Sequence, residues 1–185
     1  MLFDKIEFVL KDNRKVNISS PTYDDIQGII DLLKNDAEET IYVIVYPEEC
    51  ESNTPEKEKA IFDRVNNAEN ELLLLARDGN KVIACAHLSF GTYIKTRHRC
   101  FVTIQIMKEY WGLGLGSKIF EEFIKIAEKR KEITQMELTF IEGNDRAKAL
   151  YEKMGFVIVG KKPNAIKLKD GTLLSMFEMV KEINR

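Results

Sequence analysis

An α/β fold, a mixed sheet with helices on its faces, is the class this sequence predicts, and three observations predict it. Apolar residues recur at helical spacing in four stretches, about residues 22–36, 54–65, 117–131 and 144–154. Between them lie short runs that alternate or are rich in β-branched and aromatic side chains. One such run, RHRCFVTIQIM, passes through a glycine-rich loop directly into a helix. At 185 residues the chain suits a single domain spanning residues 1–185, large enough to bury a core without disulfide or metal staples.

In chain order, FDKIEFVL alternates, ends in the polar turn KDNRK and resumes as VNIS, which reads as an opening hairpin stopped by Pro21. TYDDIQGIIDLLKND offers Thr22 or Asp24 as an N-cap and sets Ile26, Ile29, Ile30, Leu32 and Leu33 on one face of a helix. From Thr40 to Pro55 the reading divides, IYVIVY as a strand and PEECESNTP as a loop, and this segment is expected to be mobile or to face a substrate. Thr54, followed by a proline at the first helical position, opens a second helix. ELLLLAR and KVIACAHLSF flank Asp78, Gly79 and Asn80, the strongest hairpin signal in the chain. After the next strand, Ile119, Phe120, Phe123, Ile124, Ile126 and Ala127 line one face of an amphipathic helix, with Glu121, Glu122, Lys125, Glu128 and Lys129 opposite. QMELTFI is then a strand, NDRAKALYEKM a short helix closed by Gly155, and FVIVGKK and TLLSMFEMV two strands joined around the turn KDG.

Composition narrows the function. The 28 lysines and arginines nearly balance 30 acids, for a net charge of −2, and the bases are interleaved with acids, so no nucleic-acid partner is expected. Cys50, Cys85 and Cys100 form no C-x-x-C pair and His87 and His98 complete no metal spacing, so no metal is expected and the thiols fit a reducing, cytoplasmic location. The N-terminal MLFDKIEFVLKDNRK mixes acids and bases too early for a signal peptide, and no apolar run approaches about 20 residues, so neither a membrane span nor a membrane partner is expected. A homodimer is possible for a chain of this size, two-fold dimers being the commonest assembly.

The glycine-rich stretch YWGLGLGSKIF carries the chemistry. Each glycine costs roughly 0.5 to 1 kcal/mol against alanine inside a helix, so three at a helix mouth imply a compensating use. A strand ending in Gly112, Gly114 and Gly116 presents backbone N–H groups at a helix N-terminus, where an anion is favoured by the macrodipole and by donors without intrahelical partners. A P-loop is disfavoured by order and gap, and a dinucleotide fingerprint by Ser117 at its third glycine and by the lack of an opening βαβ unit, though nucleotide binding stays open as a third reading. On the loop alone, tight packing of a helix on a sheet stays open.

A second motif, EGNDRAKALYEKMGF at residues 142–156, puts Asn144 at a helix N-cap and Tyr151 seven residues on, close to two turns and so on the same face. Loop and motif together resemble the GNAT superfamily of N-acetyltransferases, whose pattern is a strand, a Q/R-x-x-G-x-G/A loop, a helix, a strand, and then an Asn and a Tyr on a short helix ending in GF. The matching residues are Gly114, Gly116, Asn144, Ala147, Leu150, Tyr151, Gly155 and Phe156; Trp111 stands where the family often has Gln or Arg. The resemblance covers about residues 80–180 well and implies a mostly antiparallel sheet of six to seven strands, with acceptor-facing helices at about residues 22–68.

It further implies acetyl-CoA as cosubstrate and a primary amine of a small molecule or a protein as acceptor. The amides of Gly112, Leu113, Gly114, Leu115, Gly116 and Ser117 would hold the pyrophosphate. The strand edge at Ile104, Gln105 and Ile106 would pair with the pantetheine arm, and a backbone N–H near Ile106 would face the thioester carbonyl. Asn144 would hold the cosubstrate or a water, and Tyr151 would be the general acid for the departing sulfur. Glu142 is a candidate base, with a salt-bridging surface glutamate as the alternative; Thr139 lies where some relatives place a glutamate. The acids Asp36, Glu38, Glu39, Glu48, Glu49 and Glu51 suit a cationic amine, though a solvated charge run explains them too. A noncatalytic acyl-CoA sensor is the alternative to an enzyme.

Overall fold

Twelve regular elements follow one another in a computed structural model that describes residues 1–184. They are β1 (Ile6–Val9), β2 (Lys15–Ser19), α1 (Ile26–Glu39), α2 (Pro55–Asn67), β3 (Glu71–Asp78), β4 (Lys81–Phe90), β5 (Arg99–Ile106), α3 (Leu115–Glu128), β6 (Gln135–Ile141), α4 (Asp145–Lys153), β7 (Val157–Lys167) and β8 (Leu173–Glu182). The strand order is β1-β2-β3-β4-β5-β6-β8-β7, a mixed sheet of eight strands rather than six or seven, because both short strands of the opening hairpin join it. By contact the chain divides into two compact units, Met1–Ser89 with Ile104–Ile119, and Phe90–Thr103 with the chain from Phe120 onward.

In the first unit β1, β2, β3 and β4 form an antiparallel meander, with Ile6 opposite Ile18, Ile18 opposite Ala76 and Leu75 opposite Cys85. The helix expected from TYDDIQGIIDLLKND begins with a 3₁₀ turn at Tyr23–Asp25 capped by Thr22, and α1 runs on to Glu39. Its buried residues, Ile29, Leu32, Asp36 and Ala37, recur at three- and four-residue spacing, so the stripe that packs inward includes an aspartate. Gly28 permits that packing: a Cβ there would lie 2.6 Å from Cγ2 of Val82. α2, capped at Thr54 by the amide of Lys57, packs on α1 and β3 and buries Phe62 and Val65.

The strand reading of IYVIVY is not realised. Those residues are bends that leave Ile41 and Ile44 exposed, and the next regular piece is the 3₁₀ segment Pro47–Ser52, which buries Cys50. Thr40 caps α1 and Pro47 opens the 3₁₀ segment, so the run has apolar side chains but no strand to pair with.

In the second unit β6 pairs antiparallel with β8 and β8 with β7, while β5 lies parallel to β6 over Arg99↔Gln135, Cys100↔Met136 and Phe101↔Glu137. Phe120 and Phe123 of α3 are buried beside Tyr151 and Phe156, with Phe120 edge-on to both rings at 5.5 and 5.6 Å. No helix among the described residues is long and apolar enough to cross a membrane.

One buried ion pair locks the entry to α1. Arg77 of β3 grips Asp25 through Nε at 2.5 Å and a terminal nitrogen at 2.6 Å, and the Thr22 amide donates to the same carboxylate at 2.7 Å. Burial pushes the Asp25 carboxyl up, and the Arg77 and Thr22 bonds outweigh it, leaving it below the ordinary carboxylate value. Asp25→Ala strands the guanidinium and is expected to cost about 3 to 5 kcal/mol in urea unfolding at neutral pH. The contribution is fully present above the unfolded value near pH 3.8 and is lost as pH falls through the lower folded value, so the deficit of the variant shrinks in strong acid.

Candidate active site

The glycine loop of the first unit turns on backbone conformation. Gly112 and Gly114 both adopt positive φ, +76° and +94°, and α3 starts at Leu115. Space does not demand glycine at 114, since a Cβ there would meet Phe8 at an ordinary 3.6 Å; the dihedral does. The amide of Lys11 donates to the Leu113 carbonyl at 3.1 Å, which ties the loop to the β1–β2 turn and leaves the carbonyl directed into the protein. Alternation of positive and negative φ at a helix mouth turns successive N–H groups to one side, a cradle that fits the pyrophosphate of a coenzyme. Leu115 and Gly116 are buried, so Leu115 packs its side chain in the core and contributes to the mouth only through its amide.

The end of β5 is fixed with equal care. Its ladder to β6 covers Arg99 to Phe101, and Ile104, Gln105 and Ile106 lie past that ladder's end. The indole N–H of Trp111 donates to the Ile106 carbonyl at 2.6 Å, and the Met107 amide donates to Ile83 at 3.0 Å. Trp111, which stands where the family often has Gln or Arg, thus holds the strand end in position against the loop that follows it. Two carboxylates of α1 reach the same place. Gln105 donates a side-chain hydrogen bond to Asp36, and the Lys108 amide donates to Glu39 at 3.1 Å.

Asp36 is only 4% exposed. Burial pushes its carboxyl up to about 6, against the lowering by the Gln105 bond and with a further push from the charge of Glu39. Glu48 and Glu49, by contrast, cluster around the buried Cys50, and Glu49 accepts from the Tyr46 amide at 2.8 Å.

The second unit holds the other predicted side chains. Asn144 caps α4, its side-chain oxygen accepting from the Ala147 amide at 3.2 Å, so its amide nitrogen is the part not used by the cap. Tyr151 is 7% exposed among Phe120, Phe140 and Phe156. Burial alone pushes its hydroxyl up to about 12, with no hydrogen-bonding partner contributing. Glu142 takes the alternative the sequence offered: it accepts from the Ser175 amide at 2.9 Å and pairs with Lys161 at 3.4 Å, and those bonds hold its carboxyl below the usual range. Thr139 is an exposed position of β6.

Two features escaped the sequence reading. Nothing in WGLGLG signals an indole bond to a carbonyl five residues back. Asp36 had a signal, since it stands four residues after Leu32 and seven after Ile29 on the helical stripe, where a solvated acid does not belong.

Comparison with known proteins places the chain in a family. A family model described as the acetyltransferase (GNAT) family matches residues 31–156. An acetyltransferase of the GNAT family from Streptococcus pneumoniae is 26% identical, with a TM-score of 0.83 over 91% of this chain and 99% of that one. Ribosomal-protein-alanine N-acetyltransferase from Brucella melitensis is 20% identical, with a TM-score of 0.75 over 90% of this chain and 99% of that one. A phosphinothricin acetyltransferase from Sinorhizobium meliloti, solved in complex with acetyl-CoA, is 16% identical, with a TM-score of 0.74 over 91% of this chain and 88% of that one. No curated protein sequence matches the chain.

The raised carboxyl of Asp36 sets a pH signature on stability. Between its unfolded value of 3.8 and about 6 the folded protein holds a proton that the unfolded chain has released, so this group's contribution falls as pH rises through that window and stays unfavourable above it. Asp36→Asn, neutral throughout, is expected to unfold at higher urea than the wild type at pH 7.5, by up to about 3 kcal/mol, and to match it near pH 4. An equal difference at both pH values would contradict the assignment.

Proposed function

This chain belongs to the GNAT acetyltransferase family, whose reaction is acetyl-CoA-dependent acyl transfer, and from that premise we propose that the acetyl group goes to a primary amine of a small molecule or of a protein. The observation that carries the cosubstrate half of this reading is the pair of positive-φ glycines, 112 and 114, at the mouth of α3. Backbone amides of residues 112–117 would hold the pyrophosphate, and the edge of Ile104, Gln105 and Ile106 would bind the pantetheine amides. Bound acetyl-CoA supplies the activated acyl group, a thioester. A backbone N–H near Ile106 would face the acetyl carbonyl, where charge develops, and the Trp111 indole bond to the Ile106 carbonyl fixes the peptide that follows it.

Asn144 offers its amide nitrogen to the cosubstrate or to a bound water. Tyr151 serves as the acid for the departing sulfur; at about 12 its hydroxyl stays protonated, and so remains a donor, across the physiological range. An amine acceptor accords with the related enzymes, one named for an alanine of ribosomal protein and one for phosphinothricin, which span protein and small-molecule acceptors.

A screen of primary amines with release of free thiol from acetyl-CoA as the signal tests the reading. Tyr151→Phe is expected to lower kcat by roughly 100-fold with the KM for acetyl-CoA unchanged, the magnitude of a lost general acid. Gly114→Val is expected to weaken acetyl-CoA binding by roughly tenfold in calorimetry, about 1.4 kcal/mol. If acetyl-CoA raises the melting temperature yet no amine releases thiol, the chain binds without turning over and the proposal fails.

A further inference from the structure

We infer that Asp36 is the proton acceptor for the incoming amine, held at the end of β5 by Gln105 and working through one bridging water; this rests on the reading of the chain as an amine acetyltransferase. The inference begins with location. Gln105, to which Asp36 is hydrogen-bonded, immediately precedes the residue whose N–H is directed at the acetyl carbonyl in that reading. Glu39, one turn farther along α1, fastens the same helix end to the turn after β5 through the Lys108 amide at 3.1 Å. The C-terminal turn of α1 therefore sits where the acceptor nitrogen must arrive, and it brings two carboxylates and the negative end of a helix dipole, all of which draw an ammonium group.

The environment of Asp36 is wrong for a structural aspartate. A buried carboxylate ordinarily keeps a cation or several donors. Asp25 in the same unit does so, with Arg77 on both oxygens. Asp36 receives one neutral donor, from Gln105 on β5, and faces a like charge, Glu39, on its own helix. The elements packed on α1 send it no cation: Glu48 and Glu49 of the 3₁₀ segment act on Cys50, and Glu58 of α2 acts on Cys85. On the stripe of Ile29, Leu32 and Ala37 a leucine would pack without that penalty. A fold that keeps a costly, partly neutral carboxylate beside a reaction centre is keeping a group that exchanges protons.

Glu39, the other carboxylate at this helix end, is engaged by the Lys108 amide at 3.1 Å. β5, whose sequence is RCFVTIQI, carries no carboxylate, and Glu142 is committed to Lys161 and to the Ser175 amide. In the step assigned to Asp36, an ammonium acceptor gives one proton through water to the carboxylate, which frees the nitrogen lone pair. That pair forms the C–N bond to the acetyl carbon, and the C–S bond breaks with its electrons on sulfur. The nitrogen then loses its second proton to water, the sulfur takes one from Tyr151, the acid of that reading, and leaves as the thiol, Tyr151 regains a proton from solvent, and Asp36 returns its own to solvent.

The test uses Asp36→Asn, which keeps the shape and the bond to Gln105 but removes the basic site, with Asp36→Glu beside it. Against the primary amine that the wild-type enzyme acetylates fastest, D36N is expected to lose about 100-fold in kcat, to keep the wild-type KM for acetyl-CoA, and to lose the acid limb near pH 6 from its profile; D36E recovers part of the rate. An independent readout needs no turnover. The Asp36 carboxyl carbon in the unliganded protein is expected to titrate at about 6 by NMR, with its midpoint lowered by n-butylammonium. Wild-type kcat and an unchanged acid limb in D36N, or an Asp36 midpoint near 4 that the amine does not move, would overturn the inference while leaving the acetyltransferase reading intact. Failure of the wild-type protein to acetylate any amine overturns that reading instead, and this role with it.

Discussion

The turn from β5 into α3 is the constraint on which the rest depends. A strand end and a helix mouth must both be left with backbone groups for a ligand, yet buried peptide groups without partners cost about 1 to 3 kcal/mol each. The chain resolves this by fixing the groups a ligand does not need. Trp111 takes the Ile106 carbonyl, Ile83 takes the Met107 amide, and Lys11 takes the Leu113 carbonyl, which pins both the strand end and the helix mouth. The tryptophan that stands where the family often has glutamine or arginine is the residue that fixes the strand end.

Burial of two aspartates separates structure from chemistry within one unit. Asp25 and Asp36 are comparably hidden, and desolvation is the largest influence on both. Their carboxyls nevertheless move in opposite directions, because Asp25 meets a guanidinium and Asp36 meets an amide and a second acid. The first gives stability at neutral pH and the second takes it away. Position along α1 follows the same division: Asp25 closes the helix entry, far from the loop in sequence, and Asp36 stands on the helix end that is fastened to β5.

Much of this was legible in the sequence, and the parts that were not have a common physical cause. The Asp78-Gly79-Asn80 hairpin, the Thr54 and Asn144 caps and the β6 run QMELTFI appear as expected, since local backbone chemistry decides them. IYVIVY has strand composition without a strand, because pairing is decided by neighbours that composition does not report. The fates of Glu39, Asp36 and Glu142 depend on residues 69, 69 and 33 positions away, at Lys108, Gln105 and Ser175. In sequence each of the three could serve the site or be a solvated surface acid, and only long-range contact tells those fates apart.

The same dependence on environment decides what Tyr151 is able to do. Measured against an aqueous thiol near 8.5, a phenol at about 12 is a poor acid, and full proton transfer would be uphill by roughly 5 kcal/mol. Burial, however, acts on thiols as it does on phenols, since both are neutral acids that ionise to an anion. Cys100, in the same unit as Tyr151, is pushed up to about 12 by burial. In the role proposed for Tyr151, the phenol would be matched to the departing sulfur to the extent that the sulfur, too, is desolvated. The aromatic cluster of Phe120, Phe140 and Phe156 that makes Tyr151 look like a core residue would, in that role, keep water from the phenol while the proton passes.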